Sequence, residues 1–179
     1  MTYLIHGSNG SFEIPSIEYF DIDSLLNDTN EFGVYFYLID GIEEMYEIPQ
    51  SILSKAKAYG NIYVYSLEMF NELYKNKCLN PLGKMDFKMF KNLFLQIEPN
   101  VELLKQYYVH EKMANNATII RVAIQSLIKK YNTTDWKRIS NYLQKTTGMI
   151  GFLTYSRGIG TIVLWDPAKV GDLELVEKL

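Results

Sequence analysis

The spacing of apolar residues changes twice along this chain, and those changes constrain the fold more than any single residue does. Residues 1–68 read as strands with short connections. A short apolar run at residues 3–5 stops at His6-Gly7-Ser8-Asn9-Gly10, a turn-forming cluster. Residues 34–39 are aromatic and β-branched and residues 62–67 alternate, so both read as strands. Between them, residues 49–58 read as a helix: Pro49 sits near its start, Ile52, Leu53 and Ala56 share a face, and Gly60 stops it. From residue 69 to 147 the period is helical. Phe87, Phe90, Phe94 and Ile97 keep it, as do Ile120, Ala123, Ile124, Leu127 and Ile128. Thr133-Thr134-Asp135 is an N-cap cluster for a helix carrying Trp136, Ile139, Tyr142 and Leu143, with Gly148 at its end. Such stripes are core far more often than binding surface. Strands then return. Residues 152–155 and 161–165 flank Ser156-Arg157-Gly158-Ile159-Gly160 as a β-hairpin, and Asp166-Pro167 breaks the second strand. Strands, helices, strands imply one α+β domain over residues 1–179, with a sheet completed from both ends of the chain.

Composition narrows the function classes. With 47% hydrophobic and 14% aromatic residues, the chain has ample apolar surface for a core, which excludes a disordered chain. The net charge of −3 and the lack of an aromatic–basic stripe argue against a nucleic-acid partner. Cys78 is the sole cysteine, so no internal disulfide is expected; this suits a reducing cytoplasm, although a buried apolar thiol is its commoner role. Two histidines and one cysteine leave little material for zinc, and no metal is expected. No stretch approaches the ~20 apolar residues of a membrane span. The first six residues lack a basic n-region, so no signal peptide is expected either. Lys84, Lys88, Lys91 and the Lys129-Lys130 pair read as a solvated helix face.

Few polar features could carry chemistry. His6 ends a strand beside a glycine-rich turn, where backbone N–H groups can approach a ligand closely. Tyr35, Tyr37 and Tyr59 lie near glycines, and an aromatic wall beside exposed amides suits a flat, amide-bearing ring. A strand-end histidine alone is more often a structural hydrogen-bonder. The order of the pieces says more. His6-Gly7-Ser8 is followed by Phe32-Gly33-Val34-Tyr35-Phe36 and then by Ser54-Lys55-Ala56-Lys57-Ala58-Tyr59-Gly60. This resembles the diphtheria-toxin-like and poly(ADP-ribose) polymerase-like branch of the ADP-ribosyltransferases. That branch carries an H-G-S or H-G-T strand, an F-G-x-G-x-Y-F strand and an S-K-(x)3-Y helix. Gly148-Met149-Ile150-Gly151-Phe152 and residues 160–167 look like the closing strands of small phage-borne and mobile-element members, some of them anti-CRISPR proteins.

The resemblance implies a split β-sheet core with a helical insertion at residues 69–147, between the pocket-forming residues 1–68 and the closing strands and tail at 148–179. It implies NAD as substrate and a protein acceptor, in a host or competitor bacterial cell. His6 would hydrogen-bond the nicotinamide ribose, Gly7 would clamp the carboxamide through its backbone, Tyr35 would line the pocket, and Tyr59 would stack on the nicotinamide ring. Ser8 and Ser54 are lesser candidates in the same motifs. Two departures stand against this pattern. The second motif lacks its second glycine, and the family's catalytic acid falls at Thr161 or its neighbour Gly160. A carboxylate near the ribose stabilises the oxocarbenium charge that develops as nicotinamide leaves. Three readings are open: another carboxylate serves (Glu13, Glu98, Glu102 and Glu111 are candidates), the hairpin is misaligned, or the domain binds NAD or a target without transfer. Arg157 at the hairpin tip could bind a phosphate or an acid, although a solvated loop arginine is commoner.

Overall fold

The computed structural model of the chain describes residues 1–26, 31–68, 74–112, 114–156 and 159–179. The strands are β1 (Thr2–Ser8), β2 (Val34–Asp40), β3 (Asn61–Leu67), β4 (Cys78–Leu79), β5 (Gly151–Ser156), β6 (Ile159–Leu164) and β7 (Glu174–Lys178). They form one mixed sheet in the order β4-β5-β6-β2-β1-β3-β7, antiparallel except for the short β4–β5 pair. The helices are α1 (Ile22–Leu26), α2 (Gln50–Lys57), α3 (Phe87–Phe94), α4 (Val101–Glu111), α5 (Asn116–Tyr131) and α6 (Trp136–Thr147). The architecture is α+β, and both ends of the chain contribute strands; Cys78–Leu79, inside the stretch read as helical, adds the edge strand β4 beside β5. Arg157, read as part of the β5–β6 turn, lies outside the described residues.

Local chemistry explains the helix ends. Asp86, Asn100, Asn115 and Asp135 precede α3, α4, α5 and α6, and each side chain accepts a backbone N–H of the first turn. Gly148 closes α6 with φ +70°, a left-handed conformation that glycine adopts without a Cβ clash.

The strand register sorts the core into layers. Tyr3, Ile5 and Ile39 face α2, packing with Ile52 and Ala56. Leu4, Phe36, Leu38, Tyr65 and Ile162 face the other way, covered by Val170 and Leu173 from the segment between β6 and β7. Tyr35 and Tyr37 lie opposite Val163 and Thr161, and Val163 lies opposite Phe152. By strand alternation, these residues share the face that α2 covers. The helical layer of α3, α5 and α6 packs there, on Phe152 and Val163. Thus α2 and the helical layer cover one face of the sheet at its two ends.

The segment leading from β1 into α1 belongs to the same core as the helices. Ile17 and Leu25 are buried with Phe32 and Trp136. The Phe20 ring meets Phe32 at 5.0 Å and Trp136 at 5.4 Å, both edge-on. Glu18 pairs with Lys137 at 3.1 Å, but both side chains are half exposed and such a pair contributes only ~0–1 kcal/mol. The aromatic contacts therefore dominate. Truncating a buried aromatic costs about 3–5 kcal/mol. Trp136→Ala is expected to lose about that much stability, measured by urea unfolding, and to loosen the Phe20 segment with it.

Candidate functional site

The site begins where two neighbouring strands part. β1 pairs with β3 along its whole length, from Thr2 opposite Leu67 to Ser8 opposite Asn61. β2 pairs with β6 from Val34 to Ile39. Between themselves, β1 and β2 pair at only four positions, ending at Ile5 opposite Tyr37. Beyond that point His6, Gly7 and Ser8 stay with β3, while Val34, Tyr35 and Phe36 stay with β6. A split opens in the middle of the sheet.

Strand alternation fixes what the split exposes. Ile62 gives both its backbone groups to Leu179 on the far side of β3, at 2.9 and 2.8 Å. Gly7, opposite Ile62, is therefore the non-hydrogen-bonded member of the β1–β3 ladder. Its N–H and C=O point away from β3, towards the side where the β2 ladder has ended. Tyr35 has the same parity as Tyr37, so its backbone groups point back at β1. The Tyr35 carbonyl is met by the His6 ring, whose Nδ1 lies 2.8 Å away. A carbonyl oxygen only accepts, so Nδ1 carries the proton and Nε2 keeps its lone pair. Burial lowers the His6 pKa below its ordinary 6.5, outweighing the Tyr35 hydrogen bond that raises it. His6 is thus a neutral imidazole at neutral pH, its ring against Phe36 and Phe12 at 5.4 and 5.8 Å.

Gly7 is also required by packing. A Cβ there would sit 2.0 Å from the Ala56 carbonyl oxygen on α2. The missing side chain lets α2 lie directly on β1, which brings Tyr59, just past the helix end, to the split.

A cavity of about 970 Å³ fills this split, at the upper end of the roughly 300–1,000 Å³ of ligand pockets. His6, Gly7, Ser8, Tyr35, Tyr59 and Thr161 all line it. Ser54 does not; it is exposed on α2. Tyr37 lines the cavity beside Tyr59, and burial together with the neighbouring Tyr59 phenol pushes its pKa up. Tyr59 is 64% exposed, a large ring standing over the cavity. The Tyr35 hydroxyl is occupied elsewhere: it donates to Glu31 Oε2 at 2.5 Å and accepts the Glu31 N–H at 2.7 Å. Burial and the Glu31 carboxylate raise its pKa well above the ordinary range, so it stays protonated.

Much of the remaining wall was not singled out from the sequence. It comes from the segment after β1, through Phe12, Ile14, Tyr19, Phe20 and Asp21. Phe12 stacks on Tyr63 at 4.6 Å, and the Tyr63 hydroxyl donates to the Gly10 carbonyl. None of Glu13, Glu98, Glu102 and Glu111 lines the cavity. Glu98, between α3 and α4, accepts the Asn100 N–H, and Glu102 pairs with Lys105 on α4. Among the described residues that line the cavity, Asp21 is the one carboxylate.

Other features lie away from this chemistry. Burial pushes the Cys78 thiol up to about 12, so it remains a protonated thiol. Among the described residues no group of His, Cys, Asp and Glu could hold a metal ion, and no helix is long and apolar enough to cross a membrane. No family model, curated protein or solved structure matches the chain.

The His6 geometry carries a pH dependence. The folded protein holds the His6 proton less tightly than the unfolded chain does, so stability rises with pH through this titration. The contribution is whole above about pH 6.5 and is lost as pH falls below it. His6→Asn keeps an N–H for the Tyr35 carbonyl but does not titrate. Urea unfolding at stepped pH is expected to show a shallower loss of stability below about pH 6.5 for His6→Asn than for wild type. Equal slopes would contradict the buried, neutral assignment.

Proposed function

We propose that the split-sheet cavity binds NAD as a substrate and that the chain is a mono-ADP-ribosyltransferase acting on a protein. The observation that carries this is the backbone of Gly7. Its N–H and C=O are turned to the opened side of β1, one donor and one acceptor on a single residue. That is the complement of a primary carboxamide, which offers one carbonyl and one NH₂. The neighbouring His6 Nε2 can accept from a ribose hydroxyl while Nδ1 is held by Tyr35. Tyr37 and Tyr59 offer ring faces to the nicotinamide. The motif order His6-Gly7-Ser8, Phe32 to Phe36 and Ser54 to Tyr59 supports the same reading, as does the α+β sheet divided between β1 and β2. The likeness to small phage-borne members supports an acceptor inside a bacterial cell, in a counter-defence role.

Thr161 lines the cavity where the resemblance puts a glutamate, and this favours a second reading. In it, the domain keeps the fold but inhibits a partner protein by occupying its surface. The two separate on one comparison: His6→Ala abolishes cellular activity in the enzyme reading and leaves it intact in the binding-module reading.

For the enzyme reading, NAD at a hundredfold over Kd is expected to stabilise the protein by about 2.7 kcal/mol. His6→Ala should remove most of that shift, measured by thermal unfolding with and without NAD. Labelled NAD added to bacterial lysate should transfer label to a protein band with wild type and not with His6→Ala. No shift and no label at millimolar NAD would reject the proposal.

A further inference from the structure

We infer that Asp21 supplies the carboxylate of the transfer reaction, carried into the cavity by the segment after β1 instead of by β6. The inference rests on the NAD reading above. In that reaction the C1′–N bond of the nicotinamide ribose breaks and its electron pair leaves with nicotinamide, now neutral. C1′ becomes oxocarbenium-like. A lone pair of the acceptor forms the new bond to C1′, and the acceptor's proton passes to a carboxylate and then to water. The step needs a negative charge beside the ribose. The Thr161 hydroxyl cannot supply one.

Asp21 lines the same cavity as His6, Gly7 and Thr161. Its neighbour Phe20 is wedged against Phe32 and Trp136, which fixes the backbone on one side. On the other side Asp21 Oδ1 accepts the Asp23 N–H at 3.0 Å, at the start of α1. Glu31, which accepts from the Tyr35 hydroxyl, does not line the cavity. Glu13 is exposed between two lining residues, Phe12 and Ile14, without lining the cavity itself.

Asp21→Asn removes the charge and keeps the size of the side chain. Asparagine accepts the Asp23 N–H as well as aspartate does, so the start of α1 is preserved. The variant is expected to unfold cooperatively and to keep its NAD-induced thermal shift. Label transfer from NAD should fall on the order of 10²–10³-fold, the usual cost of one preorganised electrostatic group. Undiminished transfer by Asp21→Asn would overturn the inference and leave the NAD reading standing. Loss of the NAD shift in the variant would also overturn it, because the carboxylate would then act in binding. Wild-type protein that binds NAD without transferring label would remove the catalytic role and keep the cavity. Wild-type protein that does neither would overturn both.

Discussion

The early end of the β1–β2 ladder is the constraint from which the rest of the site follows. A backbone carbonyl left at a broken ladder needs a partner. For Tyr35 that partner is a side chain, His6 Nδ1, where a strand neighbour would otherwise stand. The substitution has two effects. It lets β1 and β2 diverge without stranding a buried acceptor, and it holds the imidazole in one tautomer. The sheet becomes two hydrogen-bonded halves joined by the four residue pairs from Thr2 to Ile5. α2 belongs to the half built on β1 and β3, and lies close because Gly7 has no side chain. The helical layer belongs to the half built on β5 and β6.

The helical layer then has a role that its remoteness in sequence hides. α6 brings Trp136 against Phe20 and Phe32, so the core that stabilises residues 87–147 also holds the wall of the cavity in place. Ile17 and Leu25 are buried in that core on either side of the wall residues Tyr19 to Asp21. Tyr19 is left 86% exposed beside the cavity while its neighbours are pinned. Rigid anchors under a polar, open tip are what a binding segment needs to keep its geometry without a strand or long helix of its own.

Legibility in the sequence tracked periodicity. α3, α5, α6 and the strands β2, β3, β5 and β6 carry apolar residues at a clear spacing, and each forms near its expected place. β6 takes in Ile159 and Gly160, which read as part of the turn, and ends one residue early, at Leu164, with Trp165 buried beyond it against Phe152. α4 falls within the stretch read as helical but has no stripe of its own to mark its bounds, because Leu104 is its one buried residue. β7 escaped because Glu174, Glu177 and Lys178 make it look like a polar tail. It is a strand because β3 offers a free edge, and its charges suit a strand at the margin of a sheet. Of the site, the local motifs were readable: His6, Gly7, Ser8, Tyr35 and Tyr59 do line one cavity. The wall from Phe12 to Asp21 was not, because its apolar residues have no period and their partners are scattered along the chain, at Tyr63 for Phe12 and at Phe32 and Trp136 for Phe20. The Glu31–Tyr35 hydrogen bonds were hidden for a similar reason, since a four-residue spacing points to contact only on a helix.

Where a charge is carried decides what it depends on. A carboxylate on β6 would inherit its position from the ladders on either side, which are short-range and local. A carboxylate at Asp21 inherits its position from Phe20, and through Phe20 from Trp136 and the packing of α6 on α3. Under the NAD reading, the chemistry at the ribose is therefore coupled, through Phe20, to the hydrophobic core of the helical layer. The nicotinamide end is different. There Gly7 and His6 depend on the β1–β3 ladder and on α2, in the other half of the sheet. Binding and transfer would thus draw on two halves of the sheet that are joined by the four β1–β2 pairs and face each other across the split.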